Sequence, residues 1–101
     1  MKIHDLASTF LNLYEPSKDY YENYFNEHPD IYSYYFEHHC YNKENKLEHA
    51  LITHPKMIQQ MQWITQKFIS LTPQITQAYE KRFPIKFTKD TYIFVGLGGS
   101  N

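Results

Sequence analysis

The chain has 101 residues, of which 42% are hydrophobic and 18% aromatic, and its formal net charge is −1. That length suits one domain with a single modest core. Ten basic residues mixed among 11 acidic ones give no basic footprint for nucleic acid and no polybasic membrane anchor.

No apolar run approaches the ~20 residues needed to span a bilayer. The opening Met1-Lys2-Ile3-His4-Asp5 has an acid too early, and no long apolar stretch, for a secretion signal. Cys40 is the single cysteine and cannot form an internal disulfide, which points to a reducing, cytoplasmic setting. Ten tyrosines and seven phenylalanines must supply much of the packing. Tyrosine carries a hydroxyl that needs a partner, so such a core is thin and amphipathic.

Taken in chain order, Ile3, Leu6, Ala7, Phe10, Leu13 and Tyr14 recur at helical spacing and predict a first helix, closed by Pro16. Ser17 is placed to cap a second helix, with Asp19 in its first turn and Tyr21, Tyr24, Phe25 and His28 on one face. Pro29 suits the first turn of a third helix bearing Ile31, Tyr34, Tyr35 and His38; one bent helix across His28-Pro29 is the alternative. Residues 41–45 read as a polar turn. Leu47, Ala50, Leu51 and His54 mark a short helix ended or kinked by Pro55.

The clearest periodicity follows, with Met57, Met61, Ile64, Phe68 and Leu71 on one stripe and glutamines over much of the rest. Thr72-Pro73 reads as the start of a last helix, through Ile75, Ala78 and Tyr79 to about Phe83, where Pro84 stops it. Ile85-Lys86-Phe87-Thr88 reads as an extended lead-in. The β-branched and aromatic run Thr91–Val95 then predicts a strand, and a glycine turn follows.

The expected fold is therefore mainly α: five or six short helices packed through aromatic stripes, with a single C-terminal β-strand at about 91–96. Residues 1–83 form the helical domain, and 84–101 the strand and glycine turn. No upstream stretch has comparable strand character, and a strand needs partners for its backbone groups. The sequence therefore predicts that 84–101 begins a sheet completed by a missing or partner-supplied portion.

Catalytic equipment is sparse. His38, His39, Cys40, His49 and His54 are of the types that bind zinc, but consecutive histidines point about 100° apart on a helix. They are weak metal candidates, and structural or surface histidines are the favoured reading. A zinc-protease helix needs His-Glu-x-x-His, and Glu37-His38-His39 has those letters in the wrong order. Cys40 lacks a recognisable oriented base and oxyanion site. Gly96-Leu97-Gly98-Gly99-Ser100-Asn101 follows a strand as phosphate loops do, yet Asn101 sits where the dinucleotide fingerprint needs glycine, and no P-loop lysine is present. A tight turn is favoured. Tyr92, Phe94, Gly96, Gly98 and Gly99 are the candidates for strand pairing or for lining a cleft.

A tyrosine- and histidine-rich helical lead-in, a long helix and then Thr91-Tyr92-Ile93-Phe94-Val95-Gly96-Leu97-Gly98-Gly99-Ser100-Asn101 resembles the front of predicted bacterial zinc-dependent proteases of gluzincin type. The resemblance covers about the last third of the chain, and its motif is degenerate. It implies a sheet beside a substrate cleft, with the His-Glu-x-x-His helix and every zinc ligand beyond Asn101. On that basis the chain is expected to be the non-catalytic N-terminal helical segment of a zinc metallopeptidase. Zinc would then belong to the longer parent, no cofactor to this chain, and the partner would be the rest of the parent.

The alternative is a stand-alone helical interaction module. It would dimerise or bind a protein partner through its C-terminal strand, with Tyr20, Tyr24, Tyr32 and Tyr35 as contact surface.

Overall fold

The computed structural model describes residues 2–84, 86 and 88–97. In chain order these form strand β1 (Ile3–Asp5), helices α1 (Ser8–Asn12), α2 (Lys18–Glu27), α3 (Pro29–His38) and α4 (Lys43–Thr53), a 3₁₀ turn (His54–Lys56), helix α5 (Ile58–Arg82) and strand β2 (Thr91–Ile93). The fold is mainly helical, with a short C-terminal strand and a buried aromatic cluster, as the sequence predicts. It divides into two compact units.

The first unit joins the N-terminal residues through Asn12 to Gln59–Val95. Here β1 and β2 pair in parallel, with Ile3, His4 and Asp5 opposite Thr91, Tyr92 and Ile93. The Thr91 amide donates to the Lys2 carbonyl at 2.8 Å, and the Leu6 amide to the Ile93 carbonyl at 2.9 Å. This corrects two expectations. The terminal strand is not solitary, because Ile3–Asp5 pairs with it along one edge. Nor does the first helix begin at Ile3, because those three residues are extended.

Asp5 marks the change from strand to helix. One of its carboxylate oxygens accepts the amides of Ala7 and Ser8, each at 3.0 Å, satisfying donors that a helix start leaves unpaired. Burial opposes ionisation there, but those bonds and the Ser8 hydroxyl outweigh it and hold the Asp5 carboxyl below the usual range. Ala7, Phe10 and Leu11 are buried behind this turn. α5 lies against α1 through polar groups: the Gln62 amide donates to the Leu11 carbonyl at 3.5 Å and to Asn12 Oδ1 at 3.1 Å.

α5 is one helix of 25 residues with Pro73 inside it, where the sequence suggests a break. Proline removes one backbone donor and disfavours the helix locally, but long helical runs on both sides carry the chain through.

The second unit comprises Leu13–Ile58 with Gly96 and Leu97. Ser17 caps α2 as expected, its hydroxyl accepting the Tyr20 amide at 3.2 Å. His28 departs from helical geometry (φ −131°, ψ 59°), so α2 and α3 are separate helices, with Pro29 opening the second. Their facing sides form the aromatic cluster. Phe25 lies 4.6 Å from Tyr32 and 5.0 Å from Phe36, ring centre to ring centre, and Tyr24 lies 5.3 Å from Tyr32. Such tilted and edge-on pairs add about 0.5–1.5 kcal/mol beyond area burial.

Tyr24, Tyr32 and Tyr35 are thus core residues rather than the contact surface suggested by sequence. Lys43 seals the rim of the cluster, 4.9 Å from the Phe36 ring centre and 3.3 Å from a Glu22 carboxylate oxygen. Leu47 and Ala50 of α4 complete the core. Asn42, just before α4, adopts the left-handed conformation (φ 58°), which asparagine tolerates better than most residues.

Candidate functional site

The residues singled out in the sequence do not converge. Tyr92 lies in β2, half-exposed, and stacks on His4 with ring centres 4.4 Å apart. His4 Nε2 meets Asp90 Oδ2 at 2.9 Å, and this contact, first among its causes, holds the Asp90 carboxyl below its usual range. Asp90 is exposed and His4 half-buried, so the pair is a surface contact beside the strand rather than a buried ionic site. Phe94 is half-buried. Gly98 and Gly99 lie outside the described residues.

Gly96 has a clear steric role. A Cβ built there would fall 2.5 Å from the Tyr35 hydroxyl. That hydroxyl accepts the Leu97 amide at 2.9 Å, so the bare Cα lets the chain pass close enough to be held. The glycine serves packing of the second unit, with Tyr35 filling the space a side chain would need.

Of the metal candidates, His38 and His39 are exposed at the end of α3, His49 is exposed on α4, Cys40 is buried and His54 is buried. Among the described residues, no three His, Cys, Asp or Glu side chains are grouped so as to hold a metal ion.

His54 instead belongs to a hydroxyl relay. Its Nδ1 lies 2.7 Å from the Tyr21 hydroxyl, which lies 2.8 Å from the Tyr14 hydroxyl. Burial, aided by His49, lowers the His54 pKa, while burial and the Tyr14 contact push the Tyr21 hydroxyl far above its usual range. Both directions favour a neutral imidazole beside an intact phenol. With its proton on Nε2, His54 accepts from Tyr21, and Tyr21 in turn accepts from Tyr14. The relay ties three separated stretches of one core.

The feature that stands apart is α5. Periodicity marks Met61, Ile64, Phe68 and Leu71 as a packing face, yet Ile64, Phe68 and Leu71 are exposed, and Thr65 is the helix's buried residue. The exposed stripe continues through Ile75, Tyr79 and Phe83; Trp63 is exposed as well, about 140° round the helix from the stripe's centre. Individual exposures run from 46% at Phe68 to 63% at Trp63. At 100° per residue, the six residues from Ile64 to Phe83 occupy a sector of roughly 120° over ~28 Å of helix.

The inward side is fixed by polar contacts instead. Gln62 bonds to the end of α1, and Gln66 Nε2 meets Ser8 Oγ at 3.5 Å. The surrounding surface is almost uncharged, Lys67 being the one charged residue from Met57 to Tyr79. Lys67 itself lies 5.6 Å from the Trp63 ring centre. Solvated helical faces usually carry charge, and this one does not. The sequence shows this stripe in two pieces, on helices either side of Thr72-Pro73 that are expected to pack through such stripes. The shortage of charge on the flanks was the available signal that α5 is not an ordinary solvated helix.

Comparison with protein-family models, with curated proteins and with solved structures gives no match. Among the described residues, no helix is long and apolar enough to cross a membrane.

Proposed function

We propose that the chain is a helical protein-interaction module whose binding surface is the apolar face of α5. The observation that carries this reading is the exposed row Ile64, Phe68, Leu71, Ile75, Tyr79 and Phe83. With large side chains of ~150–250 Å² each about half open, the row leaves on the order of 600 Å² of contiguous apolar surface, at the upper end for a monomer. Patches of that size mark interaction sites.

A protein partner is favoured over a lipid surface or nucleic acid. Amphipathic helices that lie on membranes carry lysines and arginines along their polar face, whereas α5 carries mainly glutamine and threonine over its first three-quarters. The chain as a whole lacks a basic surplus. A reducing, cytoplasmic setting suits its single buried thiol.

Partner binding through the C-terminal strand is a weaker version of the same reading, since β2 already has a mate along one edge. The zinc metallopeptidase front segment that the resemblance implies loses the support of an unpaired strand, since β2 pairs with β1.

The test is a photo-crosslinking residue placed in cells at Phe68, with Gln77 on another face of α5 as control. A protein adduct at Phe68 and none at Gln77 is the expected result. No adduct at Phe68, or equal adducts at both positions, refutes the module.

A further inference from the structure

We infer that the occupant of the α5 face is a second copy of this chain, seated as an antiparallel helix pair. The inference rests on the interaction reading above and adds the identity and orientation of the partner.

Three observations favour a second copy. The first is spacing. Measured from a point between Pro73 and Gln74, Ile64 mirrors Phe83 and Phe68 mirrors Tyr79, while Leu71 and Ile75 straddle the centre. A twofold axis there sets each large side chain of one helix against one from the other, as an isologous interface requires. The second is charge. A surface that meets itself cannot carry much of one sign: along residues 64–83 the charged residues are Lys67 near one end and Glu80, Lys81 and Arg82 at the other, and the central stretch from Phe68 to Tyr79 has none. The third is area. The six stripe residues offer roughly 600 Å² per copy, about 1,200 Å² for the pair, which reaches the lower bound of a standard stable interface.

The pairing buries the aromatic and aliphatic stripe at the centre and leaves glutamines at the rim, the usual division of an interface. Interaxial distances of about 8–10 Å bring the two Ile75 side chains close to the axis. The two Ile64 side chains lie at opposite ends, ~28 Å apart along the helix.

The experiment is sedimentation of the full chain from low micromolar to millimolar concentration, with two cysteine variants read on non-reducing gels. Cys40 is buried and stays in place. The expected result is a concentration-dependent dimer whose dissociation midpoint moves at least tenfold higher in the Phe68→Glu, Ile75→Glu double variant, with an unchanged circular-dichroism spectrum. Ile75→Cys should crosslink copy to copy under mild oxidation, and Ile64→Cys should not.

A monomer at every concentration overturns the inference, as does a dimer insensitive to the double substitution. Crosslinking at Ile64→Cys as efficient as at Ile75→Cys overturns the antiparallel arrangement. If the chain is monomeric while Phe68 crosslinks to a different protein in cells, the module survives and self-pairing falls. A monomer that sediments with phosphatidylcholine–phosphatidylserine vesicles overturns both.

Discussion

Replacing Tyr21 by phenylalanine tests whether the Tyr14–Tyr21–His54 relay holds the second unit together. The ring stays, so the aromatic packing is preserved, and one oxygen is lost. That oxygen lies 2.7 Å from His54 Nδ1 and 2.8 Å from the Tyr14 hydroxyl. His54 is 8% exposed, so its Nδ1 would be left without its tyrosine partner. A buried polar atom stripped of its hydrogen bond costs about 1–3 kcal/mol.

Urea denaturation at pH 7 measures that cost, and a cycle with His54→Leu isolates the pair. The double variant should recover about 1 kcal/mol relative to the sum of the single changes, because no orphaned acceptor remains. The pH dependence adds a second readout. Burial depresses the folded-state pKa of His54 below 6.5, so on acidification the unfolded chain takes up that proton first. The contribution is complete above pH 6.5 and is lost as the pH falls below it toward the depressed value. The difference between wild type and His54→Leu should therefore shrink or reverse with acidification. A Tyr21→Phe cost below about 0.5 kcal/mol, or parallel pH profiles for wild type and His54→Leu, would refute the relay as a stabilising element.

Two further substitutions probe backbone features. Gly96→Ala should lower the urea midpoint by an amount equivalent to about 1–3 kcal/mol, since the new methyl meets the Tyr35 hydroxyl that holds the Leu97 amide; a neutral outcome contradicts the close approach. Pro73→Ala should raise stability by about 1–3 kcal/mol, because an exposed interior position of α5 gains a donor and a strong helix former. Loss of stability in that variant would show that the proline is accommodated by something other than helix on either side.

The local signals in the sequence were largely readable. Ser17 and Pro29 place the starts of α2 and α3 because capping and proline geometry are short-range chemistry. The β-branched and aromatic run Thr91–Val95 likewise declares a strand, of which Thr91–Ile93 is extended and paired. What it pairs with is a contact between the chain's two ends, and Ile3–Asp5 carries helical spacing into Leu6 and Ala7 that hides its extended state. Tyr21 and His54 meet across 33 positions, a distance at which no periodicity speaks. For α5, periodicity correctly marks an amphipathic helix. It is silent on whether the apolar stripe faces the chain's own core, and hydrogen bonds from Gln62 and Gln66 settle the orientation locally by gripping α1.

The lone thiol offers a natural reporter. Cys40 is almost inaccessible at 1% exposure and adjoins Tyr35, whose hydroxyl loses acidity chiefly through burial despite the Leu97 amide bond. An alkylating reagent in solution can therefore reach the sulfur only when that corner breathes. Its labelling rate, set against that of the denatured chain, reads the free energy of local opening without any engineered probe.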